Sequence, residues 1–291
     1  MKNLFIIGNG FDLNLGYKTG YSDFMVSKQF VALVTSGNKL CIHLKDRENL
    51  CNWVDIEEEL IEYSKLYNPE DRNRDLFRFE YYALRDALCD YIRGIDLTIF
   101  DHNAYLGRVA TNPNYNFTAE DTVVLDFNYT DSFRYLIAEL CPEHAHNCTV
   151  INVHGLAKEN NIIFGVQESA NKNPDDIWLL KNVDRNYKEI NIYDYLIEAK
   201  HIFFLGFSIG VSDHSYFADF FQNYAIYYKD KPKKHIYLPY YKEEGRLCLH
   251  KQIFALSHGK LTKTKNTFNL HFIDIEEQQA QMEEQNNANQ V

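Results

Sequence analysis

The chain has 291 residues, 45% of them apolar and 15% aromatic, which is enough to bury one substantial core and excludes a disordered protein. Its formal net charge of −11 repels phosphate backbones at long range and disfavours nucleic acid as a partner. Its longest apolar stretches are strand-sized, far below the roughly 20 residues of a membrane span, and the start leaves no room for a signal peptide, so a cytoplasmic protein with no membrane partner is expected.

In chain order, Leu4-Phe5-Ile6-Ile7 is apolar without alternation, which predicts a parallel strand buried on both faces, ended by Gly8-Asn9-Gly10. Strand signals then vanish and helical ones take over, predicting an inserted helical layer over about 25–120. Within it, Trp53, Ile56, Leu60 and Tyr63 recur at three and four residues among Asp55, Glu57, Glu58, Glu59 and Glu62, which reads as a helix with a solvated acidic face. A second helix over 73–93 is expected to turn Leu76, Phe79, Tyr82, Ala83, Ala87 and Tyr91 toward a core. Strands are predicted at 122–127, 149–153, 162–164, 201–205, 235–238 and 268–273, most of them separated by helix-length segments, and 176–199 is expected to hold one or two helices. The fold class is therefore α/β, a Rossmann-like mostly parallel sheet in a single domain over 1–275.

Four lysines around Pro232, at 229, 231, 233 and 234, read as a solvated turn. The polar end, 276–291, is expected to fray. The six cysteines show no C-x-x-C pair, so they read as reduced, mostly buried thiols. No set of His, Asp and Glu has ligand spacing, and no metal is expected.

The chemistry is expected where buried strands end, because open α/β sheets bind ligands at their carboxyl edge. Gly8 and Gly10 would let backbone amides approach a pyrophosphate, although Leu13 replaces the third glycine of G-x-G-x-x-G and a tight structural turn stays open. Asn128, after the second strand, offers an uncharged donor and acceptor for a ribose hydroxyl or a water, or caps a helix. His154-Gly155 follows the third strand, where a histidine can engage a ribose hydroxyl or serve a structural role. Gly206 and Ser208 follow the fourth, with Ser212 and Asp213 as helix caps or ligands. Gly206-Phe207-Ser208-Ile209-Gly210 also fits the nucleophile elbow G-x-S-x-G. A serine hydrolase would take its histidine from His235, His250, His258 or His271 and its acid from Asp213, Asp219 or Asp230.

As an ordered set, Gly8-Asn9-Gly10-Phe11-Asp12, Tyr21 to Phe24, Trp53 to Glu57, Phe127-Asn128-Tyr129-Thr130, Val153-His154-Gly155 and Gly206 to Asp213 resemble the bacterial AbiH phage-abortive-infection family, from residue 4 to about 220. That family is in turn similar to sirtuin-like NAD-binding domains of antiphage systems. The resemblance implies an NAD glycohydrolase that uses NAD as substrate. Asn128 and His154 would be catalytic. Gly8, Asn9, Gly10, Phe11, Asp12, Tyr129, Gly155, Gly206, Ser208 and Asp213 would contact the dinucleotide, with Asp12 fixing either the loop or the nicotinamide end. No cysteine set has the spacing of a sirtuin zinc module, so protein deacetylation is not expected. Control by homo-oligomer or partner assembly is expected, since a freely active enzyme would poison its host. A non-catalytic nucleotide sensor is the competing reading.

Overall fold

The computed structural model describes residues 2–47, 53–66, 74–112, 121–145, 149–168, 173–227 and 232–288. Among them, β1 (Asn3–Ile7), β2 (Thr122–Asp126), β3 (Thr149–Asn152), β4 (His201–Leu205), β5 (His235–Tyr240) and β6 (Asn269–Asp274) form one all-parallel sheet in the order β3-β2-β1-β4-β5-β6. The continuous apolar runs explain the centre of that order. β1 pairs with β2 on one side and β4 on the other, and every residue of β1 and β2 is buried.

Alternation along β1 divides the core. Leu4 and Ile6 join Ile202, Phe204 and the helices α10 (Ile192–Glu198) and α11 (His214–Tyr227) on one face. Phe5 and Ile7 join Phe203, Leu205 and the helices α1 (Asn9–Asn14), α7 (Tyr105–Ala110) and α8 (Ser132–Leu140) on the other. Connections therefore leave β1 toward β2 and β3 on one face and reach β4 to β6 on the other. The chain reverses direction across the sheet between β1 and β4, and their carboxyl ends open a crevice there.

The insertion between β1 and β2 carries α2 (Tyr21–Met25), α3 (Lys28–Thr35), α4 (Lys39–Lys45), α5 (Trp53–Ser64) and α6 (Arg74–Arg93) ahead of α7. These have their own core, built from Phe24, Phe30, Leu44, Leu60 and Leu88, and it is closed by Ile162, Phe164 and Leu179 from the β3–β4 connection. The expected face of the helix over 73–93 is corrected in part, since Tyr82, Ala87 and Tyr91 do pack, partly buried, against the core of the insertion. Phe77, Tyr81, Leu84 and Leu88 point inward, whereas Leu76 is 39% and Phe79 73% exposed. The aromatic density on both sides of this helix hid its phase. Phe77→Ala is expected to cost about 3–5 kcal/mol in urea unfolding and Phe79→Ala under about 0.5 kcal/mol; equal costs would reverse the assignment.

The predicted strand at 162–164 is a buried connector. Its backbone serves individual partners: Ile163 N donates to His154 O at 2.8 Å, and Phe164 O accepts the Tyr81 hydroxyl. A short apolar run carries the same signal for either state. The segment 176–199 holds short 3-10 turns and then α10. After β5 come α12 (Lys242–Leu256) and α13 (Leu261–Thr267), and beyond β6 the polar end forms α14 (Ile275–Ala288) rather than frayed chain. Its Glu, Gln and Ala favour helix, and Ile275 and Met282 anchor it.

Lys234 leaves the expected solvated turn. It is 6% exposed, donates to the carbonyls of Ile197 and Ala199 at the end of α10, and lies over the Tyr224 ring; burial lowers its pKa to about 8. Lys229 and Lys231 lie outside the described residues, as do Cys51 and Cys148. Cys41, Cys89 and Cys141 are free and buried, and Cys248 is free and exposed. No described helix is long and apolar enough to cross a membrane.

Candidate functional site

A cleft of about 710 Å³ opens at the carboxyl ends of β1, β2, β3 and β4, within the size range of small-molecule and cofactor sites. Gly8, Asn9, Gly10, Asp12, Asn128, Tyr129, His154, Gly206, Ser208 and Asp213 all line it. Two expected contacts do not. Phe11 is fully buried against Phe133 beneath the turn, and Gly155 faces Asn161, whose carbonyl a β-carbon at 155 would meet at 2.1 Å.

The glycines were expected to make room for a ligand, and the structure gives them a different neighbour. Gly10 N donates to Gly206 O at 2.8 Å, and a β-carbon on Gly8 or Gly10 would come within 2.9 Å of Gly206 backbone atoms. Gly206 has φ +62, and its own β-carbon would sit 1.9 Å from Phe11 N. The turns after β1 and β4 thus press backbone to backbone, and glycine is required on both sides. The Gly10 amide is spent on that contact.

Asp12 fastens the β1 turn to the β2 turn. Its buried carboxylate accepts from Asn128 Nδ2 at 3.1 Å, Thr130 Oγ1 at 2.7 Å and Ser132 Oγ. Burial raises its pKa to about 6, against the pull of those three donors. Asn128 Nδ2 also donates to Gly8 O at 3.2 Å. Both partners are acceptors, so the amide orientation is fixed and Oδ1 is the atom left for a ligand. Asn128 N donates to Asp126 Oδ1 at 2.9 Å, and burial holds that carboxyl well above the usual range.

His154 is 7% exposed and stands edge-on to Phe127 at 5.2 Å between ring centroids. Burial and the nearby Lys181 hold its pKa well below 6.5. Its hydrogen bond to the Phe127 backbone engages Nδ1, because Nε2 is buried with no hydrogen-bond partner among the described residues. The ring is therefore neutral and presents a lone pair.

Two further residues complete the wall, and neither was expected there. Lys181, 3% exposed, forms a 2.6 Å ion pair with Glu57 from α5. Its backbone N donates to Val166 O at 3.0 Å, which fixes where the side chain starts. Burial acts to lower the Lys181 pKa, but Glu57 and Asp213 outweigh it and the net shift is upward. Asp213, in the 3-10 turn Val211–Asp213, is raised to about 7 by burial despite Lys181. The acidic face of α5 is thus only partly solvated. Glu57 lies four residues after Trp53 and three before Leu60, on the apolar stripe, a placement that marks an inward carboxylate. Lys181 sits in an irregular segment with no periodic signal.

The elbow reading does not fit this geometry. The strained residue is Ile209, with φ +53, and Ser208 is exposed on the cleft wall. His235 and His271 bond each other at 3.0 Å on β5 and β6, and His250 bonds Arg246 O at 2.9 Å. Among the described residues no histidine hydrogen-bonds to Ser208; Asp230 lies outside them.

A family model described as bacteriophage abortive infection AbiH matches residues 4–230, which span the sheet through β4, the helical insertion and every side chain of the cleft named above. No curated protein matches the chain.

Proposed function

The chain belongs to the AbiH family of bacteriophage abortive infection, and we propose that within this antiphage role its cleft binds NAD and hydrolyses the nicotinamide–ribose bond. The observation that carries the reading is His154 Nε2, a neutral, enclosed lone pair in the same cleft as Asn128 Oδ1 at the carboxyl edge of a doubly wound sheet. Water attacks C1′, the C1′–N bond breaks, and its electron pair returns to the pyridinium ring. Nicotinamide leaves neutral, ADP-ribose remains, and the proton of the water passes to solvent.

The leaving group is already cationic, so the pocket has to stabilise an oxocarbenium-like ribose and present the water. Asn128 Oδ1 accepts a hydrogen bond from that water. His154 Nε2 accepts one from a ribose hydroxyl, a bond that strengthens as the ring gains positive charge. The Gly8 to Gly10 turn faces the pyrophosphate, and Gly206 and Ser208 face the adenosine side. Control by homo-oligomer or partner assembly belongs to the same reading, and an equally active monomer at every concentration in size-exclusion chromatography would remove it.

Nicotinamide release from NAD by the purified protein tests the proposal. His154→Ala and Asn128→Ala are each expected to lower the rate by about 10²–10³-fold, with thermal melts confirming folded variants. Undiminished release in both would sink the assignment. Binding of ADP-ribose with no release under any assembly state would favour a sensor.

A further inference from the structure

Three side chains of the cleft end in enclosed atoms with no hydrogen-bond partner among the described residues: His154 Nε2, Glu57 Oε2 and Asp213 Oδ1. They come from three distant parts of the chain, the end of β3, α5 in the insertion and the turn after β4. They share one electrostatic neighbourhood, since Lys181 acts on both His154 and Asp213 and pairs with Glu57, and Glu57 acts on Asp213. As a lone pair and, above about pH 7 where Asp213 is ionised, two carboxylate oxygens, all three are acceptors. An enclosed acceptor left unmatched costs free energy, so three of them on side chains that line one cleft define the chemistry of what enters.

Phosphate oxygens carry no proton for such a set. An ammonium group would have to share these carboxylates with Lys181, which already pairs with Glu57. A pair of neighbouring hydroxyls supplies neutral donors, and a carboxylate with a free oxygen is the usual protein partner of a ribose hydroxyl. We infer that Glu57 and Asp213, together with His154, recognise the vicinal hydroxyls of the ribose that bears the scissile bond, which makes the two carboxylates specificity determinants for a hydroxylated sugar. The inference rests on the NAD reading of this cleft. It moves Asp213 from the adenosine side to the reacting ribose and brings the helical insertion into substrate recognition through Glu57. The ion pair with Lys181 holds Glu57 with one oxygen bound and the other free.

ADP and ADP-ribose differ by the terminal ribose and by one ionisation of the β-phosphate, so the change in the ratio of their dissociation constants between wild type and variant reports the hydroxyl contacts. Calorimetry on the full chain at about pH 8, where Asp213 is ionised, is expected to give ADP-ribose at least about 10-fold tighter binding than ADP, since hydrogen bonds to charged groups have that magnitude. Asp213→Asn, which leaves the Lys181–Glu57 pair in place, and Glu57→Gln should each remove most of that ratio while leaving ADP affinity within about twofold. Asp213→Asn keeps the test decisive if Glu57→Gln, with Lys181 deprived of its partner, fails to fold. A wild-type ratio near one, a ratio unchanged in Asp213→Asn, or no binding of either nucleotide overturns the inference. ADP-ribose preference without nicotinamide release supports it and overturns only the cleavage reading. Release from NAD with a ratio near one does the reverse.

Discussion

Gly206→Ala is expected to be among the most damaging single changes in this chain, costing on the order of 4–5 kcal/mol in urea unfolding and leaving little soluble protein. Two effects add at that position. The backbone is left-handed at φ +62, which any β-carbon resists by about 1–2 kcal/mol. The added carbon would also lie 1.9 Å from Phe11 N and 2.3 Å from Gly10 C, backbone atoms of the neighbouring turn that cannot rotate away. Gly16→Ala separates the two effects. Its φ is +90 and nothing lies within 4 Å of the place a β-carbon would take, so about 1 kcal/mol of conformational cost is expected there. Equal losses in the two variants would show that the contact between the β1 and β4 turns is not the constraint described.

Asp213→Asn is expected to stabilise the protein at pH 8 while weakening its cleft, the pattern of a residue kept for function. Burial raises the Asp213 pKa from 3.8 to about 7. The folded chain thus retains a proton that the unfolded chain releases between about pH 4 and pH 7. This contribution favours folding at low pH and is lost as pH rises through 7. Asparagine resembles the protonated form at every pH. The variant should exceed wild type at pH 8 by up to about 4 kcal/mol, with the gap closing toward pH 4. Asp12, raised to about 6, has the same sign over pH 4 to 6 and remains in both proteins. Thermal melts from pH 4.5 to 8.5 read the difference directly. Parallel profiles, or a variant less stable at pH 8, would show that Asp213 is not held as a costly buried acid.

The sheet was legible because parallel central strands must be apolar on both faces, a requirement that writes itself into runs such as Leu4 to Ile7 and His201 to Leu205. Their carboxyl ends then point to the cleft, which is why Asn128, His154 and Ser208 could be placed on one edge from residue order alone. Residue type did not reveal what those groups touch. The glycines at 8, 10 and 206 signal close approach, but a sequence cannot distinguish a phosphate from another turn as the thing approached. For Asp12 the residue type leaves loop fixing and ligand contact equally open, and its carboxylate is taken up by Asn128, Thr130 and Ser132 of the neighbouring turn. Glu57 and Lys181 are 124 positions apart, a separation no periodic pattern links. In α6 the aromatic residues on both faces left the inward side undetermined until packing selected Phe77 over Phe79.

The order of strands in the sheet has a consequence for how the protein comes into being. β1 leaves the ribosome first, yet Asn3 waits for Thr122 on one side and His201 on the other. The wall formed by the Gly206 turn and Asp213 follows later still. Pairings this distant in sequence are slow to close and form only after the intervening chain exists. A nascent or prematurely released chain therefore holds its first turn and its helical layer without a cleft. Whatever the cleft binds can meet that wall only once the chain has been made through Asp213, and translation itself sets that delay.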